Sequence, residues 1–338
     1  MAREIVNRNR YPFPFSEEAT SRPKIKDPDS RGAIYSPQAS RLRRLMNESF
    51  RNPDRIVALP CACDALSAKM IEDAGFPAVF MSGFPVAGSL GLPDTGYIAL
   101  GEMTQKIQET VRRISVPLIA DGDTGYGGPM NMRRTVNAFA LAGAAGIMIE
   151  DQTWPKRCGH TVGKAVVAED EAYARVQAAV DERNEGLDIW IMARTDSLIH
   201  GYDVALRRAK RFIELGADCI FVEALPDLAT MQRLVKDLQF PCMAAIIPGG
   251  RTENVSAGVL ATAGFACVAY PFAVIAAKIK GIREMLEELK ASFTQGKSPD
   301  ILTADEVFDA VGFNKYYKLE ERYQYAASKT GSNGHQWN

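Results

Sequence analysis

The sequence lacks a disulfide framework, a zinc-type cysteine set, a long apolar run and a charge excess of either sign, and each absence removes a class of protein. Its six cysteines are scattered, mostly inside apolar runs such as "ADCIFVE" and "PCMAAII", as packed, reduced thiols are. Cys61 and Cys63 have no second pair at zinc-ligand spacing. No run of about 18 apolar residues could cross a bilayer, and "MAREIVNRNRYPFPFSEEAT" carries no apolar signal core. The expectation is a cytoplasmic or organelle-matrix protein without a membrane partner. The 40 Lys and Arg balance 41 Asp and Glu, for a net charge of -1. No global basic field invites nucleic acid, so an acidic small molecule would need local basic groups.

A glycine-rich phosphate turn is also missing. The segment after the first apolar run reads "ALPCACDALSAK", which counts against a doubly wound dinucleotide fold. What is present is alternation. Short β-rich runs, "RIVALP", "PAVFMS", "VPLIAD", "AGIMIE", "DIWIMAR", "ADCIFVE", "FPCMAAII" and "FACVAYP", are separated by amphipathic helical stretches. Several follow "AG" or "GA", where glycine can end the preceding helix. Eight such units predict one (β/α)8 barrel of the TIM type. The expected organisation is a flexible arm over 1–35, a single barrel with C-terminal helices over 36–325, and a disordered tail over 326–338.

Barrel chemistry sits where strands end. Asp121 and Asp123 follow the third run, Glu150 and Asp151 the fourth, Arg194 and Asp196 the fifth, and Glu223 the sixth. Asp121, Asp123 and Glu150 form an all-oxygen set suited to Mg²⁺, with Mn²⁺ as the alternative. The competing reading pairs these acids with Arg133 and Arg134. Arg194, costly to bury alone, should meet Glu223, a substrate carboxylate, or both. "FMSGFPVAGSLGLPDTG" brings Ser82 and Asp94 to the same rim. In "DQTWPKRCGHTVGKAVV", Lys156 and Arg157 beside Cys158 predict a depressed thiol pKa, helped by His160 if protonated. Gly159 and Gly163 predict a loop that moves like a lid.

Taken in order, "SLGLPDTG", "DGDTGYGG", "AGAAGIMIEDQ", "PKRCGHTVGK" and "ARTD" resemble the isocitrate lyase and phosphoenolpyruvate mutase superfamily, in particular its 2-methylisocitrate lyase, dimethylmalate lyase and petal-death-protein branch. The resemblance covers roughly residues 40 to 325, including "VFDAVGFNKYYKLEERY". It implies a Mg²⁺-dependent lyase acting on a small carboxylate, assembled as a homotetramer of dimers that exchange a late helix. By resemblance, Asp121, Asp123 and Glu150 organise the metal, and Ser82 and Gly83 hold a 2-oxo acid. Arg194 takes a substrate carboxylate, Asp94 stands near metal and substrate, and Cys158 is the acid/base group of a gating loop shared with Lys156, Gly159 and His160.

The sequence departs from that pattern in "AAIIPGGRTENVS". Ala245, Ile247 and Pro248 stand where the tricarboxylate lyases resembled here carry Asn, Thr and Glu, so a hydrogen-bonding wall becomes apolar. The expected consequence is an alkyl substituent on the substrate, or a substitute contact from Arg251. Phe80 and Phe84 add to the apolar surface, and Pro271 stands where the resembled fungal oxaloacetate hydrolases carry serine. The leading expectation is therefore a carbon–carbon lyase for a substituted 2-hydroxy di- or tricarboxylate. A hydrolase, decarboxylase or rearrangement enzyme on the same platform, and a non-catalytic metabolite binder, are the alternatives.

Overall fold

The structure is a computed structural model and describes residues 34–296 and 298–323. The expectations for an N-terminal arm and a C-terminal tail fall almost wholly outside them. Eight strands, β1 (Val57–Ala62), β2 (Val79–Met81), β3 (Leu118–Asp121), β4 (Gly146–Glu150), β5 (Trp190–Thr195), β6 (Cys219–Val222), β7 (Cys242–Ala245) and β8 (Cys267–Tyr270), close into a barrel in chain order. All pairs are parallel, including β1 with β8. Each of the eight apolar runs coincides with one strand, β1 and β5 continuing slightly past theirs, as their number and spacing predict.

The helices are α1 (Pro37–Arg51), α2 (Ala65–Asp73), α3 (Gly83–Ser89), α4 (Leu100–Val111), α5 (Pro129–Ala142), α6 (Glu169–Asn184), α7 (Tyr202–Leu215), α8 (Leu228–Leu238), α9 (Ala257–Ala263), α10 (Ala273–Gln295), α11 (Ala304–Val311) and α12 (Phe313–Tyr323). The "AG" and "GA" signals are helix ends: α5 stops at Gly143 with φ 99° and α7 at Gly216 with φ 106°. Glycine enters that left-handed region without the Cβ penalty, and each strand begins within three residues.

Strand periodicity sorts the side chains between two cores. One face packs outward against the helices, as Val79, Ile147, Ile191 and Ile220 do. The other fills the barrel with Leu59, Phe80, Ile119, Met148, Met192, Phe221, Met243 and Ala269. Leu42 and Met46 of α1 join this inner cluster beside Trp190 and close the end where the strands begin. Helix α1 is held there by Ser36, which caps it, and by the buried Arg43–Asp188 pair at 2.6 Å. The barrel is thus a packed core rather than a pore. Its inward phase continues past the strand ends, which decides the residues at the open mouth.

The chain divides at Lys278 into two compact units. The first holds the barrel. The second, from Ile279, holds most of α10 with α11 and α12, the former capped by a Thr303–Glu306 capping box. Phe308, Phe313, Tyr316 and Tyr317 form exposed ring clusters within it.

Candidate active site

Counting two residues onward from the inner core of β2 to β8 gives the mouth. Phe80 leads to Ser82, Ile119 to Asp121, Met148 to Glu150, Met192 to Arg194, Phe221 to Glu223, Ala245 to Ile247 and Ala269 to Pro271. Side chains alternate across a strand, so these ends face one space. A cavity of about 40 Å³ lies there, lined by Ser82, Phe84, Asp94, Asp121, Cys158, Gly159, His160, Arg194, Glu223, Ala245, Ile247 and Pro271. Phe80, Met148, Phe221, Met243, Ala269 and Phe272 complete its wall. The strand alternation would have identified the first five of these; Phe272 follows β8 and carried no periodic signal. Its ring lies 4.2 Å from that of Phe84.

The polar side is a dense ionic network. Arg194 Nε lies 2.8 Å from Asp196 Oδ2 and 3.2 Å from Glu150 Oε2, and Nη2 lies 3.1 Å from Glu223 Oε2. Register explains the Glu150 contact, because Glu150 and Arg194 are aligned across β4 and β5. Arg194 therefore meets Glu223, as expected, but its closest partner is Asp196, whose part the sequence left unassigned. Asp196 is itself fixed through its backbone N–H, which donates to Asp151 Oδ1 at 2.9 Å, and Asp151 pairs with Arg208. Arg133 is engaged with Glu182 and Glu185 instead, so it is not the partner of the metal-type acids.

Lys156 corrects two expectations. Its ammonium is buried 2.5 Å from Asp94 Oδ1 and 2.8 Å from Asp123 Oδ1, and it does not line the cavity or serve Cys158. Gly83 likewise is not a cavity-lining residue. Its N–H donates to Asp121 Oδ2 at 2.9 Å, and a Cβ there would meet Asp121, Lys156 and Asp123 at 3.2 to 3.3 Å. Arg251 is exposed; its backbone N–H, rather than its guanidinium, reaches toward the site by donating to His160 Nδ1 at 2.9 Å. Of the departures in "AAIIPGG", Ala245 and Ile247 line the cavity while Pro248 is exposed.

The expected depression of the Cys158 pKa is overturned. Burial pushes this thiol up from its ordinary value, the His160 N–H works against the shift, and the charge of Asp94 adds to it. Arg157 points to solvent, and Lys156 is committed elsewhere. Cys158 is therefore a protonated thiol at neutral pH, which suits a proton donor better than a nucleophile.

Charge is unbalanced. With the Asp151–Arg208 pair set aside, the mouth buries Asp94, Asp121, Asp123, Glu150, Asp196 and Glu223 against the permanent cations Lys156, Lys164 and Arg194. Burial pushes the Asp123 carboxyl up to about 7 despite Lys156, and pushes Glu150 well above the usual range despite Arg194. Glu223 behaves oppositely: burial opposes its charge, but Arg194 and His160 hold it down to about 2. Glu150 Oε1, Thr124 Oγ1 and Tyr126 Oη are buried without hydrogen-bond partners among the described residues. Asp123 and Tyr126 also hold left-handed backbones at φ 46° and 58°, strain that persists where surrounding contacts over-determine it. Among the described residues no group of three or more His, Cys, Asp or Glu forms a ready-made ligand set. A divalent ion that keeps several waters nevertheless fits this surplus of oxygen and negative charge.

A buried ionic network thus stands at the strand ends beneath a loop, at the mouth where (β/α)8 barrels carry their chemistry. The phosphoenolpyruvate phosphomutase family profile matches residues 47–290. The 2,3-dimethylmalate lyase of Eubacterium barkeri is 36% identical over 288 residues, covering 84% of this chain and 98% of the relative. The 2-methylisocitrate lyase of Aeropyrum pernix is 34% identical over 289 residues, covering 85% and 92%. A crystal structure of 2,3-dimethylmalate lyase superposes with a TM-score of 0.80 at 33% identity, covering 89% of this chain and all of that one. The chain belongs to the phosphoenolpyruvate phosphomutase family, within the isocitrate lyase superfamily, and is a carbon–carbon lyase of that superfamily.

Proposed function

We propose that this lyase is Mg²⁺-dependent and cleaves a 2-hydroxy di- or tricarboxylate of the alkylmalate or methylisocitrate type into a 2-oxo acid and a carboxylate. The observation that carries the reading is the division of one cavity wall: Arg194 and buried acids on one side, Ala245, Ile247, Phe84 and Phe272 on the other. Asp121, Asp123 and Glu150 would hold Mg²⁺, directly or through water, and the ion would supply charge to polarise a bound hydroxyl and carboxylate.

The chain's own residues do the rest. Arg194 holds a substrate carboxylate by paired N–H donors. Ser82 offers a hydroxyl beside it. As the 2-hydroxyl proton passes to a carboxylate of the buried acid cluster, its electron pair forms the 2-oxo group while the carbon–carbon bond breaks, and the pair released on carbon takes a proton from the Cys158 thiol. The loop over 153–165 excludes water while that carbanion exists. An apolar wall stabilises an alkyl substituent, whereas a third carboxylate there would lose hydrogen-bond partners at a cost of about 1–3 kcal/mol. The alkylmalate type is therefore favoured over methylisocitrate.

The test is incubation of purified protein and Mg²⁺ with alkylmalates, 2-methylisocitrate and oxaloacetate, with 2-oxo acids and oxalate followed by NMR. Release of a 2-oxo acid from an alkylmalate supports the reading. Oxalate from oxaloacetate alone would install the hydrolase alternative, and tight binding without turnover would install the non-catalytic one. We further propose a homotetramer acting in the cytoplasm or an organelle matrix; the exposed rings of Phe308, Phe313, Tyr316 and Tyr317 support an assembly contact through α11 and α12.

A further inference from the structure

The loop that carries Cys158 is tied to the barrel by more than its covalent ends. At its base Gln152 and Val166 form an antiparallel bridge, and the Thr153 N–H donates to Ala165 O at 2.9 Å. The Gln152 side chain braces the interior by accepting from the Arg157 N–H at 3.0 Å and donating to Arg157 O at 2.9 Å. Two further contacts leave the loop altogether. Lys164 Nζ donates to Asp196 Oδ1 at 2.6 Å, with the lysine side chain 2% exposed. His160 Nε2 lies 3.2 Å from Glu223 Oε1, while its Nδ1 accepts from the Arg251 N–H. That acceptor role puts the imidazole proton on Nε2, which lies near the carboxylate but makes no hydrogen bond to it.

Both acids so engaged are also the acids that hold Arg194. Asp196 accepts from Arg194 Nε at 2.8 Å and Nη2 at 3.2 Å, and Glu223 Oε2 is 3.1 Å from Nη2. Each carboxylate thus divides its charge between the loop and the arginine. If the loop lifts, Asp196 loses a hydrogen-bonded ammonium and Glu223 loses the neighbouring His160 ring, while both acids remain in the barrel mouth. A buried carboxylate stripped of one partner leans harder on the other, which draws the guanidinium away from the cavity. Lowering the loop relaxes that hold. Entry requires such a movement, because about 40 Å³ holds little more than a water molecule.

We propose that Lys164 and His160 are positioning residues that couple closure of the Cys158 loop to the orientation of Arg194, so that the guanidinium is presented to a carboxylate ligand only when the loop is shut. The idea rests on the proposed function for its biological use, but its test does not require turnover.

The experiment uses the full chain with Mg²⁺ and its Lys164→Met, Lys164→Gln and Lys164→Arg variants, with folding checked by circular dichroism. Iodoacetamide labelling of Cys158 is followed by mass spectrometry, and oxalate is the carboxylate probe that protects it. The coupling predicts at least about tenfold faster labelling in Lys164→Met, and a half-protecting oxalate concentration raised by about tenfold or more. Lys164→Gln should fall between, and serves if the methionine variant does not fold. Lys164→Arg should restore both quantities to within about threefold of the parent. Unchanged labelling would show that Lys164 does not hold the loop. Faster labelling with unchanged oxalate protection would show a clasp with no link to Arg194, and either result overturns the proposal. Failure of every 2-hydroxy acid to turn over, with the labelling results as predicted, would remove the lyase substrate reading and leave the coupling standing.

Discussion

The two halves of the barrel mouth are built on the same strand geometry and filled with opposite chemistry. On the β3–β6 side the inward positions beyond the core are Asp121, Glu150, Arg194 and Glu223; on the β7–β8 side they are Ile247 and Pro271, next to Ala245. The first half buries more negative than positive charge and is short of partners, an arrangement that costs stability unless something binds there. The second has no polar side chain to orient a ligand and contributes shape and dryness alone. Under the proposed function, reaction type falls to one half and substrate choice to the other.

That division can be broken from either side. The largest effect is expected from Cys158→Ser, which keeps the size of the donor but not its acidity. Turnover should fall by about 10²–10⁴-fold while calorimetric Mg²⁺ affinity stays within about twofold; normal turnover would remove the proton-donor role. Arg194→Met strips Asp196, Glu150 and Glu223 of their shared cation. It should cost about 3–5 kcal/mol of stability in a denaturant titration, and a loss below about 1 kcal/mol would mean that the network is not a unit.

A third change converts one half toward the other. Ala245→Asn with Ile247→Thr restores hydrogen-bonding groups to the apolar wall. The ratio of kcat/KM for a tricarboxylate over an alkylmalate should rise by about ten- to a hundredfold, with no change expected in which bond breaks. The smallest test is of pH. Because the Cys158 thiol lies above its ordinary value of 9.0, its thiolate fraction should keep rising about tenfold per pH unit through pH 9, where an ordinary cysteine levels off. Iodoacetamide labelling rates between pH 7 and 10 read this directly; a plateau below pH 9 would restore the activated-thiol reading.

Much of this was legible in the sequence because strands and barrels are local and periodic. The eight runs, the glycine stops at Gly143 and Gly216, and the polar residues two places beyond the inner core of β2 to β6 all follow from the pattern. Whether a charge two residues from Cys158 acts on it was not legible. Lys156 looked like its activator by adjacency, yet the loop turns that side chain toward Asp94 and Asp123. Asp196 and Lys164 went unassigned for the matching reason: their pairing spans 32 positions, and nothing local marks it. Phe272, beyond the last strand, belongs to the wall only because helix α10 begins there and brings its ring to Phe84. Sequence adjacency predicts electrostatics poorly wherever a loop chooses which way a long side chain points.

The most direct measurement of the central claim compares one enzyme on two substrates: kcat/KM for a 2-alkylmalate and for 2-methylisocitrate, each with Mg²⁺ at the same pH. An apolar wall at Ala245 and Ile247 predicts that the alkylmalate is preferred by about tenfold or more, with a 2-oxo acid as the product. Equal or better turnover of the tricarboxylate would contradict the assignment of substrate choice to that half of the mouth.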